Sequence, residues 1–143
     1  PNELLYRMVK ACLETADEDP GSLTAIGVYF ELWLLKIAGY MPNWAVCDAC
    51  GRTLEDEETA LLNASFHLLC PKCSRSAGGR SVTPLQRRMF ARVRNLKPAE
   101  FASDFAGSDA ELRELSSLLK RMISQAIGRN VVDERAAGIP NTI

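Results

Sequence analysis

Four of the five cysteines in this 143-residue chain fall into two words, CDAC at 47–50 and CPKC at 70–73, with nineteen residues between Cys50 and Cys70. A Cys-x2-Cys pair brings two sulfurs to one ion because the chain can turn tightly between them. Two such pairs supply four thiolates, the donor set of tetrahedral zinc, and the separation suits such a site. Cys47, Cys50, Cys70 and Cys73 are therefore the expected ligands of one zinc. Four sulfurs close the coordination sphere and leave no position for an activated water, so the expected role is structural. Gly51 supplies the turn after the first pair, and Lys72 can offset thiolate charge. Two redox-active dithiols are the rival reading. A thioredoxin-type motif opens a helix in a βαβ unit, a pattern this chain lacks. His67, the one histidine, is expected in a hairpin or beside the cluster rather than on the metal. Cys12 lies on the inward stripe of the first helix and reads as a small core residue.

The second concentration of chemistry is charge. The formal net charge is −1, yet residues 70–99 hold eight cations, Lys72, Arg75, Arg80, Arg87, Arg88, Arg92, Arg94 and Lys97, and no acid. Arginine suits phosphate because its planar fork makes paired hydrogen bonds. Arg75, Arg80, Arg87, Arg88, Arg92 and Arg94 are the candidate DNA-contact residues, with those on the helix after Thr83 expected to project outward. The competing reading is a solvated face balanced by acids on neighbouring helices. Residues 55–58 are expected to be a solvated acidic loop. No phosphate-binding glycine loop and no Ser/His or Cys/His arrangement is legible, so no enzyme is expected.

The elements that position these groups are mainly helical. Residues 3–16 carry Leu5, Val9, Cys12, Leu13 and Ala16 at helical spacing. DEDPGS at 17–22 reads as a turn. Residues 23–39 form a second helix, apolar nearly all round, expected at the centre of a bundle with Phe30 and Trp33 among the most buried residues. Gly39 is its C-cap. The cysteine module spans about 44–79, with two short strands joined near Asn63 and SAGGRS leading out as loop. TPLQ at 83–86 is a capping box with proline at the first helical position. This helix is expected to run to about Asn95 with Leu85, Met89, Phe90, Val93 and Leu96 inward, and Pro98 to punctuate it. SDAE at 108–111 opens a last helix with Leu112, Leu115, Leu119, Met122, Ile123 and Ile127 inward and Gly128 as C-cap. The last fifteen residues lack a clear period. No apolar run is read as approaching the ~18 residues of a membrane span, and the acidic, amphipathic start is unlike a signal peptide. A soluble intracellular protein is expected.

At this point the words themselves resemble a known family. YFELWLLKIAGYMPNWAVCDACG, LLCPKC with SVTPLQRRMFARVRNL, and AELRELSSLLKRMISQAIGR are similar to successive segments of RecO, the bacterial recombination and repair mediators. The likeness covers nearly the whole chain, and the Phe-Glu-Leu to Cys-x2-Cys-Gly stretch is its most specific part. The resemblance implies a longer protein with an N-terminal OB-fold domain followed by a helical domain carrying a four-cysteine zinc module, of which residues 1–143 are the second part. It implies a non-enzymatic DNA repair role in the bacterial cytoplasm, associated with the nucleoid. That role is binding of single- and double-stranded DNA, strand annealing, and loading of RecA together with RecR and the tail of the single-strand-binding protein. It implies Cys47, Cys50, Cys70 and Cys73 as zinc ligands and carries no list of DNA contacts. Two segments depart from the pattern: NASFHLL stands where a glycine pair is common, and VVDER where a Lys-Ser-Arg run is common. The expected architecture is a helical bundle with an inserted zinc ribbon. The rival functions are a zinc-stabilised protein-interaction module without DNA binding and a dithiol redox protein.

Overall fold

In a computed structural model, which describes residues 2–75 and 78–136, five α-helices are joined by a small three-stranded antiparallel sheet inserted between the second and third helices. Helix α1 spans Asn2–Glu18 and α2 spans Leu23–Ala38, with a short 3-10 turn at Pro20–Ser22 between them. Gly39 ends α2 in the left-handed region (φ 80°), and its N–H donates back to Lys36 O at 3.1 Å, as the C-cap reading requires. Helix α2 packs against α1, α4 (Pro98–Asp104) and α5 (Asp109–Ala136), so its position at the centre holds.

One expectation about this helix is corrected. Pro20–Ala38 is 19 residues long and apolar enough to cross a bilayer by length and composition. One face of it is taken up by the core, where Ala25, Ile26, Val28, Tyr29, Leu32 and Leu35 are buried, while Leu23 is exposed. Glu31 is also buried and is satisfied by Lys120 Nζ at 3.1 Å and Ser116 Oγ at 2.8 Å, both from α5. Phe30 and Trp33, expected at the very centre, are only partly buried, while Leu32 and Leu35 are enclosed. A helix that is apolar all round leaves its azimuth open, and α5 chose the Val28–Leu32–Leu35 side. In α1, Met8 and Cys12 turn inward and Leu13 is 65% exposed, against the expected stripe.

The hairpin forms where it was expected. Strand β1 (Ala60–Leu62) pairs antiparallel with β2 (Leu68–Leu69), Leu61 opposite Leu69 and Leu62 opposite Leu68. The Asn63 side chain organises the turn by accepting from the N–H groups of Ser65 and His67, both at 3.0 Å. A third strand was missed: Arg80–Val82 (β3) pairs on the other edge of β1, giving the order β2-β1-β3. Its approach needs Gly79, whose φ is 154° and where a Cβ would collide with Leu62 O. The remainder of SAGGRS, residues 76–77, lies outside the described residues.

Helix α3 (Pro84–Arg92) starts as read. Gln86 N donates to Thr83 Oγ1 and Thr83 N to Gln86 Oε1, both at 3.1 Å. It tightens into a 3-10 turn at Val93–Asn95. Pro98 does not merely punctuate: it begins α4, whose Phe101 is fully enclosed against Tyr29 and Phe105. Glu100 caps that helix by accepting from Lys97 N at 2.8 Å. Helix α5 buries Leu112, Leu115, Leu119 and Met122, but Ile127 is 60% exposed. The helix continues through Gly128, expected as its C-cap, to Ala136; residues 137–143 of the expected irregular tail lie outside the described residues.

Candidate metal centre

The two cysteine words end up facing each other across the module. The first knuckle closes with Cys47 N donating to Arg52 O and Gly51 N to Cys47 O, both at 2.9 Å, and Gly51 takes a positive φ of 78° that favours glycine. The hairpin delivers the second knuckle: Cys70 follows β2 directly, and Asp48 N donates to Leu68 O at 2.8 Å. The result is that the four Sγ atoms of Cys47, Cys50, Cys70 and Cys73 all lie within 4.8 Å of one another. Sulfurs around one tetrahedral zinc stand ~3.8 Å apart for bonds of ~2.3 Å, and Cys50 and Cys70 Sγ are 4.0 Å apart.

The electrostatics of the cluster fit a cation. Burial pushes the Cys47 thiol up, but N–H groups of Cys50, Cys70 and Ala49 aimed at its sulfur outweigh this and the net shift is down. Cys70 N, for example, donates to Cys47 Sγ at 3.3 Å. The Cys70 thiol falls to about 6, chiefly through the Cys73 N–H, with Arg52 adding to it. Cys73 is pushed up to about 12 because it shares its proton with Cys70 and Cys47. The N–H groups aimed at Cys47 and Cys70 favour their ligating form, and ligation of a four-thiol set by metal displaces protons. Cys47, Cys50, Cys70 and Cys73 would hold the metal, which supplies crosslinking rather than reactivity. His67 stays outside: its Nδ1 lies 3.2 Å from Asp48 Oδ2.

Around the centre, the sequence reading of the acidic loop needs refinement. Glu58 binds Arg52 through both carboxylate oxygens at 2.8 Å, and this pair holds its carboxyl at about 2. The backbone carbonyls of the same loop serve another residue. Arg87 donates from Nε to Trp44 O at 2.9 Å and from Nη1 to Glu55 O at 2.8 Å and Glu58 O at 2.9 Å. Arg87 is 8% exposed, so the expectation that it projects outward toward DNA is corrected. Its neighbour Arg88 is exposed. Arg92 is balanced by Asp104 at 3.0 Å, and Arg80 leans on Glu114 O at 3.4 Å. Among the described residues Arg75, Arg88 and Arg94 are exposed and form no ion pair.

A groove of about 900 Å³, unforeseen in the sequence, is lined by residues of the cysteine module, α2 and α3. Its lining includes the apolar Trp33, Ile37, Met41, Trp44 and Phe90, the cations Lys36, Arg88 and Arg94, and the acids Asp56 and Glu57. Phe90 stacks on Trp44 with ring centroids 5.0 Å apart, and Lys36 Nζ lies 4.3 Å over the Phe90 ring. Burial, reinforced by Arg94, lowers Lys36 to about 8.

The model for "Recombination protein O C terminal" matches residues 1–134. The chain belongs to the RecO family. Among RecO relatives, the "DNA repair protein RecO" of Koribacter versatilis (strain Ellin345) is 28% identical over 136 residues, covering 92% of this chain and 50% of that protein. The protein of the same name from Roseiflexus sp. (strain RS-1) is 29% identical over 103 residues, covering 71% of this chain and 36% of that protein. This RecO chain therefore spans half, or less, of the length of the curated relatives it matches. No solved structure matches it.

Proposed function

We propose that this chain is the DNA-handling C-terminal part of a RecO recombination mediator. In this reading it contributes to binding single- and double-stranded DNA, to strand annealing, and to RecA loading onto DNA coated by single-strand-binding protein, alongside RecR. It supplies a surface rather than a reaction, and its zinc is structural. The observation that supports the DNA part is the exposure of Arg75, Arg88 and Arg94 without an acidic partner among the described residues. Arg80 and Arg92 stand nearby with partial compensation, and Arg87 is withdrawn from the set by its burial. Contacts of this kind reach phosphates rather than base edges, so binding should be indifferent to sequence and fall steeply with salt.

The test is a fluorescence-anisotropy titration of labelled single- and double-stranded oligonucleotides at several salt concentrations. Arg88→Glu with Arg94→Glu should weaken binding to every oligonucleotide and flatten the salt slope, with zinc content unchanged. Undiminished DNA binding by that double variant would remove α3 as the DNA face.

The groove favours a second role on the same face. An apolar lining with Lys36, Arg88 and Arg94 suits a peptide that is acidic and ends in an apolar residue. This is the chemistry expected of the single-strand-binding protein's tail. Loss of acidic-peptide binding in the double variant, with DNA binding intact, would assign the face to partner docking instead.

A further inference from the structure

We propose that Arg87 is a positioning residue that couples the metal centre to the groove, so that the groove takes its closed shape only when the four cysteines are crosslinked. The groove's use as a docking surface rests on the reading above; the coupling itself does not.

The argument starts from where the walls come from. One wall is α3 of the helical bundle, through Arg88 and Phe90. The other is the zinc module, through Trp44, Asp56 and Glu57. Trp44 lies three residues before Cys47 in an irregular segment. That segment is tied to the first knuckle by Leu54 N donating to Ala45 O at 2.8 Å and by the Val46–Thr53 bridge. In this proposal the metal crosslink is what keeps the knuckle, and with it this segment, closed.

Arg87 is the bond between the two walls. Its guanidinium reaches across from α3 to the carbonyls of Trp44, Glu55 and Glu58 at 2.8–2.9 Å. These three acceptors belong to both sides of the first knuckle, one before Cys47 and two after Cys50. They converge on one point only while the knuckle is closed. Glu58 extends the chain of contacts toward the metal, because its carboxylate binds Arg52, whose backbone carbonyl accepts the N–H of the ligand residue Cys47 at 2.9 Å. The path is thus a sulfur ligand, Arg52, Glu58, Arg87, and then Trp44.

The arrangement is poised rather than merely rigid. Arg87 is buried with neutral carbonyls as its hydrogen-bond acceptors. A buried guanidinium is tolerated only while its donors are satisfied. If the knuckle opens and the carbonyls separate, the cation moves toward water. The Trp44–Phe90 stack, which sits beside it, then loses the backbone anchor of one ring. Metal and groove are thereby coupled through Arg87, and by linkage a groove ligand should in turn tighten metal binding.

The chain's two tryptophans, Trp33 and Trp44, both line the groove. A Trp33→Phe background leaves Trp44 as the sole reporter, and iodide quenching of its fluorescence measures groove closure without any ligand. With zinc bound, Trp44, 1% exposed, should be nearly unquenchable. Removing zinc with a chelator should raise the quenching constant several-fold while helical circular dichroism persists. Adding Arg87→Gln should raise it to a similar level with one zinc still bound per chain, and chelation should then add little. A role confined to stability would lower the unfolding midpoint of Arg87→Gln but leave Trp44 shielded in the native state; that result overturns the proposal. So does a Trp44 that stays shielded after zinc removal. If Arg87→Gln fails to fold, Arg87→Lys, which keeps the charge but cannot span all three carbonyls, is read by the same two criteria. Because no DNA or peptide enters the measurement, failure of the docking reading and failure of the coupling are separately visible.

Discussion

Replacing Trp44 by alanine should be among the most destabilising single changes in this domain, and clearly worse than the same change at Trp33. Trp44 is 1% exposed and stacks on Phe90 with centroids 5.0 Å apart. A buried tryptophan encloses roughly 200 Å², which at ~25 cal/mol per Å² corresponds to about 5 kcal/mol. Measured truncations of buried aromatics run at about 3–5 kcal/mol. The indole N–H of Trp44 has no acceptor among the described residues, so the bulk of the loss is packing, with no hydrogen bond to add. Trp33 is only partly buried in the groove, and losing up to a third of that enclosed area brings its cost nearer ~3 kcal/mol. Against a domain stability of ~5–15 kcal/mol the difference is measurable. The assay is urea unfolding of zinc-saturated protein followed by circular dichroism, with slopes compared to confirm that midpoints report stability. A Trp33→Ala variant less stable than Trp44→Ala would refute the placement of the core's aromatic anchor. So would a Trp44→Ala loss under ~1 kcal/mol, the size of an ordinary surface-to-moderate change.

Three further outcomes are expected. Cys70→Ser should reduce zinc from one per chain to near none by metal analysis while most helicity survives, because the buried faces of α2 and α5 do not depend on the ribbon; full zinc retention would contradict the ligand set. Gly79→Ala should destabilise by more than ~1 kcal/mol, because its Cβ would meet Leu62 O and Leu61 Cδ2 as β3 joins β1; an unchanged midpoint in thermal unfolding would show that the strand can shift. Lys36 should make stability rise with pH: its pKa is about 8 folded, against 10.5 unperturbed, so below pH 8 both states are charged and the burial penalty is fully present, and between 8 and 10.5 only the unfolded chain keeps the proton. The stability difference between wild type and Lys36→Met should shift in favour of wild type across that window, and parallel profiles would refute it.

What could be determined from the sequence was whatever depends on residues close together in the chain. The Cys-x2-Cys words named the four sulfurs that come together because the knuckle turn is local, needing only Gly51 at positive φ and N–H groups from the next residues. The capping box at Thr83 and the glycine C-cap at Gly39 were legible for the same reason. The hairpin at Asn63 was legible because its side chain makes the turn by itself.

The tertiary structure decided what depends on which face meets which neighbour. Arg87 and Arg88 are adjacent and chemically identical, yet one is buried under three loop carbonyls and the other is exposed. No local signal separates them, because the carbonyls that claim Arg87 come from residues 29 to 43 positions away. Trp33 is only partly buried, against expectation, because an all-apolar helix has no preferred azimuth until α5 packs on it; Trp44, for which the sequence offered no signal, is enclosed. Strand β3 is three residues long and exists only because β1 offers an open edge, with Gly79 permitting the approach. The same is true of the groove, whose walls are separated in sequence and meet through the Arg87 hydrogen bonds and the Trp44–Phe90 stack.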